Sequence, residues 1–166
     1  MNPISLDEIE QARERIAPST LRSPLVHLGV DDAPADIYLK LENLQPTGSF
    51  KVRGAANAIA LLSHDERDRG VYTCSAGNMA QALAWHARRN RILCTVIVPD
   101  TAPETKLSAI KRFGANIIQL PWAEFWQVMI ARRYAPLEGS AFIHAFSDRR
   151  MIAGNGTIGL EILEDL

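Results

Sequence analysis

Strand-like and helix-like stretches take turns along the middle of the chain, and that alternation limits the fold more than any other feature. Strand patterns fall near 71–74, 92–98, 116–120 and 141–144, with helical patterns at 78–89, 103–113 and 122–134 between them. Parallel strands need long crossovers, usually helical, so this order predicts βαβ units around a parallel sheet. The expected architecture is α/β, with three layers in the order αβα. In such sheets ligands sit off the carboxyl ends of strands, where helix N-termini offer unpaired N–H groups.

The flanking segments carry their own signals. Ser5 and Glu8 form a capping-box pattern that opens a helix with Leu6, Ile9, Arg13 and Ile16 at helical spacing. Pro18 and Pro24 bracket its exit. From Ile37 to Glu42 the chain alternates, Ile37, Leu39 and Leu41 against Tyr38, Lys40 and Glu42, which predicts a half-buried strand. A loop from Asn43 to Ser49 follows, and then Val52, Ala55, Ala56, Ile59 and Leu62 line one helix face. Near the end, Gly154 to Gly156 reads as a turn and Thr157 as the start of a helix. The sequence reaches Leu166 with no capping glycine, proline or polar tail, so we expect an architecture cut short. Leu6, Ile9, Ile158 and Ile162 are then expected to form an exposed apolar patch or an oligomer contact.

Charge removes several functional classes. Lys plus Arg total 18 against 19 for Asp plus Glu, a net charge of −1. That balance carries no electrostatic footprint for nucleic acid or for an anionic membrane. The N-terminal stretch lacks a signal-peptide pattern, and no apolar run reaches the length of a membrane span. Cys74 and Cys94 form no CxxC and no Cys/His cluster, so they read as reduced core residues of a cytoplasmic protein. His27, His64, His86 and His144 are scattered without ligand spacing, and no metal site is expected.

Three segments are candidates for chemistry. Gly154-Asn155-Gly156-Thr157-Ile158-Gly159 formally matches GxGxxG. A dinucleotide fingerprint needs a strand before it and an acidic residue well after it, and neither is present, so close packing at glycine is the stronger reading. Ser75-Ala76-Gly77-Asn78 leads from a strand directly into a helix. Small residues there leave the helix N-terminus open to a carboxylate or phosphate, while Asn78 reads equally as an N-cap. The third segment, Pro46 to Gly54, places Lys51 at the start of a helix after a Gly/Ser loop and Phe50. A helix N-terminus disfavours an ammonium and so favours the nucleophilic amine that Schiff-base chemistry uses. Of the other three lysines, Lys40 and Lys111 read as solvated and Lys106 as a helix-surface residue. Trp122, Phe125, Trp126, Met129 and Ile130 form a helix stripe of core or interface type.

Taken together, these segments resemble a known family. Lys40-Leu41-Glu42-Asn43-Leu44-Gln45-Pro46-Thr47-Gly48-Ser49-Phe50-Lys51-Val52-Arg53-Gly54-Ala55 is similar to the cofactor-lysine signature of the threonine/serine dehydratases. These are fold-type-II, tryptophan-synthase-β-like enzymes that use pyridoxal 5′-phosphate. Ser75 to Asn78 resembles their substrate-carboxylate loop, and Thr101 to Lys106 and Ala153 to Gly159 resemble later landmarks in the same order.

The resemblance implies a role for each matched residue. Lys51 would hold the cofactor covalently and then act as base at the substrate α-carbon. Phe50 would pack beside the cofactor, and Asn78 would hydrogen-bond its ring hydroxyl. Ser75, together with the backbone from Ala76 through Gly77, Asn78 and Met79, would bind the substrate carboxylate. Ala76 stands where the related serine racemases resemble a serine acid–base group, so elimination is expected over racemisation. Met79 and Ala145 depart from the histidine and the proline usual at their positions.

The implied reaction is α,β-elimination of L-threonine or L-serine to a 2-oxo acid and ammonia. The resemblance covers the N-terminal half of such an enzyme. The phosphate-gripping loop, the group facing the pyridine nitrogen and the usual metal site would lie in the other half. Residues 54–144 would form a small mobile domain, and 1–53 with 145–166 part of a larger one. The contrasting reading is a non-catalytic domain with weak cofactor binding or none. A homo-oligomer, or a separate C-terminal half, would be its partner.

Overall fold

The computed structural model describes residues 3–166. Helix α1 spans Leu6–Ile16 and opens on the Ser5/Glu8 capping box, with both reciprocal hydrogen bonds formed. Two strands, β1 (Leu25–Leu28) and β2 (Ile37–Lys40), pair antiparallel with Leu25 opposite Lys40. A short 3-10 turn at Glu42–Leu44 leads to α2 (Lys51–Ala60), and α3 (His64–Arg69) follows behind a second capping box, Ser63 with Glu66. The chain then runs β3 (Val71–Cys74), α4 (Asn78–Arg89), β4 (Cys94–Pro99), α5 (Glu104–Arg112), β5 (Asn116–Leu120), α6 (Trp122–Ala131), β6 (Ala141–Phe142) and α7 (Arg149–Asp165).

The second sheet is wholly parallel, in the order β5-β4-β3-β6. Its two faces are packed separately, which is why β3 and β4 are buried along their whole length. Val71, Cys94, Val96 and Val98 point into one core with Val52, Ile59, Leu83 and Ile110 from α2, α4 and α5. Tyr72, Cys74 and Ile97 point the other way, onto Phe125, Val128 and Met129 of α6. Helices therefore cover both faces, and the expected αβα layering is present. Cys74 and Cys94 lie in opposite cores, both free, with burial pushing each thiol up to about 12.

Several sequence expectations need correction. The 154–156 turn is absent, because those residues lie inside α7, which starts at Arg149 rather than Thr157. Their glycines serve helix packing instead: a Cβ on Gly154 would stand 2.6 Å from the Arg53 carbonyl oxygen and 2.8 Å from Gly54 Cα. The nucleotide reading falls with the turn. The 37–42 strand is not half-buried, since Ile37 and Leu39 are as exposed as Tyr38. Lys40 is not solvated; its side chain is 7% exposed and pairs with Glu161 at 2.8 Å. The aromatic stripe divides, Phe125 and Met129 inward and Trp122, Trp126 and Ile130 outward. Of the four expected patch residues Leu6 is exposed, while Ile9, Ile158 and Ile162 are half-buried. Among the described residues no helix is long and apolar enough to cross a membrane.

Candidate active site

The topology creates a crevice before any side chain is considered. From β3 the chain moves outward through β4 to β5, then returns past β3 to add β6 on its other side. The strand order therefore reverses between β3 and β6, and ligands of open parallel sheets bind at such switch points, beyond the carboxyl ends. The β3 end delivers Ser75 to Gly77; the β6 end delivers Ile143 to Phe146. The two strands are hydrogen-bonded neighbours, Ile143 N–H donating to the Tyr72 carbonyl at 2.9 Å.

Lys51 reaches this place from a third direction. Its loop is pinned at both ends. Gln45, 3% exposed, exchanges two hydrogen bonds with the Leu21 backbone, at 2.7 and 3.0 Å. Gly48 then adopts φ +69°, a turn conformation that a side chain would strain. Glu42 and Arg53 clasp each other across the loop, with Nε and Nη2 each 2.8 Å from a Glu42 oxygen. Lys51 is the first residue of α2, and its Nζ donates to the Ala145 carbonyl at 2.7 Å. The same Nζ lies 5.0 Å from the centroid of the Phe50 ring, which is itself exposed. Burial lowers the Lys51 ammonium below its ordinary range. The direction is the one expected from the sequence, and desolvation of the charge is its cause.

The 75–78 loop is an open helix entrance. Gly77 is the N-cap of α4, with no side chain capping it, so Asn78 is not the cap. Asn78 is exposed and its amide has no hydrogen-bond partner among the described residues. The Ser75 hydroxyl accepts from the Gly77 N–H at 3.2 Å, leaving the first-turn N–H groups of Asn78, Met79 and Ala80 without helical acceptors. The Met79 side chain is buried in the core, so only its backbone is available to a ligand. Ala76 is half-buried and offers no proton donor. His86, on the same helix, bonds Val52 O at 3.0 Å and so fixes α4 against the start of α2.

Does this surface suit pyridoxal phosphate? The donor set fits: an amine with a lowered pKa, an aromatic face beside it and a bare helix N-terminus. Three buried hydroxyls lack a hydrogen-bond partner among the described residues: Thr47 Oγ1 and Ser49 Oγ in the loop before Lys51, and Thr73 Oγ1 in β3.

Two contributors escape the sequence reading. The Ala145 backbone carbonyl, which meets Lys51, has no sequence signature at all. His144 lacks metal-ligand spacing, yet it lies 7% exposed at the end of β6, next to the residue that Lys51 contacts. A histidine two residues beyond the carboxyl end of a parallel strand is the available signal.

Comparison with known proteins places this geometry. The chain is 40% identical to the catabolic L-threonine dehydratase TdcB of Staphylococcus aureus over 98% of its own length and 48% of that protein's. A serine racemase structure from Dictyostelium discoideum superposes with a TM-score of 0.88 at 35% identity, covering 98% of this chain and 54% of that one. The processed form of threonine deaminase isoform 2 from Solanum lycopersicum gives 0.81 at 32% identity, covering 99% and 51%. The chain thus spans about half the length of the curated relatives it matches. The sequence profile described as "Pyridoxal-phosphate dependent enzyme" matches residues 16–166, and the chain belongs to that family, in its fold-type-II branch.

Proposed function

We propose that this chain carries the lysine-bearing half of an active site that deaminates L-threonine or L-serine to a 2-oxo acid and ammonia, the water lost from the β-carbon being regained on hydrolysis. The observation that carries the reading is Lys51 itself. It is a half-buried amine with a lowered pKa, held at the switch point beside an open helix N-terminus.

In this reading Lys51 would hold pyridoxal phosphate covalently, and Phe50 and Asn78 would help to bind it. The cofactor, when bound, supplies an electron sink for the carbanion at the substrate α-carbon. Ser75 and the N–H groups of Gly77, Asn78 and Met79 bind the substrate carboxylate, helped by the partial positive charge of the helix N-terminus. Lys51, released as a free amine, takes the α-proton as general base. The β-hydroxyl departs as water, and the product enamine hydrolyses to 2-oxo acid and ammonia. Ala76 cannot return a proton from the opposite side, so the α-carbon is not inverted. Residues 54–144 act as the smaller body, 1–53 and 145–166 belong to the larger, and the protein works in the cytoplasm, where free thiols stay reduced.

The test is 2-oxo acid formation from L-threonine and L-serine by a protein that carries these residues together with the rest of the relatives' length. Lys51→Ala abolishes it, and Asn78→Ala weakens it without abolishing it. Ala76→Ser adds D-serine formation. Rapid appearance of D-serine with Ala76 intact would contradict the elimination reading.

A further inference from the structure

We propose that His144 is a positioning residue for Lys51, its unprotonated Nδ1 holding the turn that aims the Ala145 carbonyl at Lys51 Nζ. The inference rests on the assignment of Lys51 as the reacting amine and goes beyond it, to what fixes that amine.

The geometry is specific. His144 Nδ1 accepts from the backbone N–H of Phe146 at 3.3 Å and of Ser147 at 3.2 Å. Both partners are donors, so Nδ1 must carry the lone pair and the ring proton must sit on Nε2. These two bonds curl residues 144–147 around the imidazole, and Ala145, inside the curl, presents its carbonyl to Lys51 at 2.7 Å. The ring is wedged in place, edge-on to Phe146 at 4.5 Å and to Phe142 at 5.9 Å between centroids. Protonation of Nδ1 would remove both bonds together and release the carbonyl that Lys51 uses.

Burial keeps the ring neutral, and the neighbouring charges act on top of it. The Arg132 guanidinium and the Lys51 ammonium oppose protonation of His144, while the Asp148 carboxylate, at the N-cap of α7, favours it. Burial is the largest opposition to protonation, ahead of these charges, and the balance lowers the His144 pKa below its ordinary value. The turn is therefore intact at neutral pH and opens as the pH falls through that lowered value. Asparagine is the informative substitute, since its side-chain oxygen can accept the same backbone N–H groups and does not titrate.

The chain has only four lysines, so its ε-methylene groups can be followed one by one by NMR in isotopically labelled protein, with Lys51→Arg identifying the Lys51 signal. In the wild type the Lys51 signal should show a second inflection, below its own titration, that tracks the His144 ring. His144→Asn should erase that inflection and keep the Lys51 signal distinct. His144→Phe should shift the Lys51 pKa and its signal away from the wild-type values, because the carbonyl to which Nζ donates is no longer held in place. A Lys51 signal indifferent to His144→Phe, or equally disturbed by Asn and Phe, would overturn the proposal. Should His144→Phe fail to fold, the wild-type ring decides: a proton found on Nδ1 overturns it, and one on Nε2 upholds it. If these signals behave as stated but pyridoxal phosphate does not mark Lys51, the cofactor reading falls and the positioning role stands.

Discussion

Arg53 and Glu161 face each other across the contact between α2 and α7, joined by hydrogen bonds of 2.6 Å from Nη1 and 2.8 Å from Nη2. The guanidinium is 1% exposed and is also held by Glu42, while Lys40 pairs with the same Glu161. Two cations and two carboxylates thus close a buried network at the foot of the Lys51 loop.

Breaking that network should be costly, because a buried charge that loses its partner keeps its desolvation penalty. Glu161→Gln is expected to destabilise the fold by about 3–5 kcal/mol. Arg13→Ala, which removes an exposed partner of Glu164, should cost far less. Urea unfolding of the two variants measures the difference, and equal losses would contradict it.

This network also shows where sequence reading stops. Strand alternation places Lys40 on a polar face, but its partner Glu161 lies at the far end of the chain, and no local pattern reports a pairing across that separation. The parallel sheet is legible because β3 and β4 are short runs rich in apolar and β-branched residues between helical repeats. The β1–β2 hairpin misleads because alternation reports which side chains share a face, not whether anything covers that face. Glycine 154 is ambiguous in sequence because a tight turn and a close helix crossing both require the missing Cβ. Lys51 stands out through its loop and helix position, whereas the carbonyl it touches belongs to the backbone and leaves no trace in the sequence.

The helix crossing itself makes a graded prediction. Gly154→Ala would drive a methyl against the Arg53 carbonyl and Gly54 Cα, backbone atoms that cannot turn aside, so a loss of roughly 1–3 kcal/mol is expected. Gly159→Ala, on the same helix, meets nothing within 4 Å and should stabilise by up to about 1 kcal/mol through helix propensity. Thermal melts should move in opposite directions.

Stability should fall in acid before carboxylates begin to protonate. Burial holds His86 down to about 4, from an ordinary 6.5, although its bond to Val52 O acts in the other direction. The unfolded chain therefore takes up a proton that the folded chain refuses. The stability linked to His86 is complete above pH 6.5 and is lost as the pH falls towards 4, by roughly 3 kcal/mol in all. In His86→Gln the slope of unfolding free energy against pH over that window should become shallower. An unchanged slope would show that His86 titrates normally.

Both cysteines should be silent in the native protein. Cys74 and Cys94 are buried in separate cores with thiols raised to about 12, so an alkylating reagent at pH 8 should modify neither until urea is added, and then both. Fast native labelling of either would mean that the corresponding helix layer opens.

The most direct test of the account is where pyridoxal phosphate attaches. Lys40 is locked in an ion pair, Lys106 and Lys111 are exposed on α5, and Lys51 alone is a half-buried amine with a lowered pKa at the switch point. The protein would be incubated with pyridoxal phosphate, reduced with borohydride and digested, and the modified peptides identified by mass spectrometry. The account predicts the reduced adduct on Lys51 and, in Lys51→Ala, little adduct anywhere. Labelling spread over Lys40, Lys106 and Lys111, with Lys51 no more marked than they are, would contradict it.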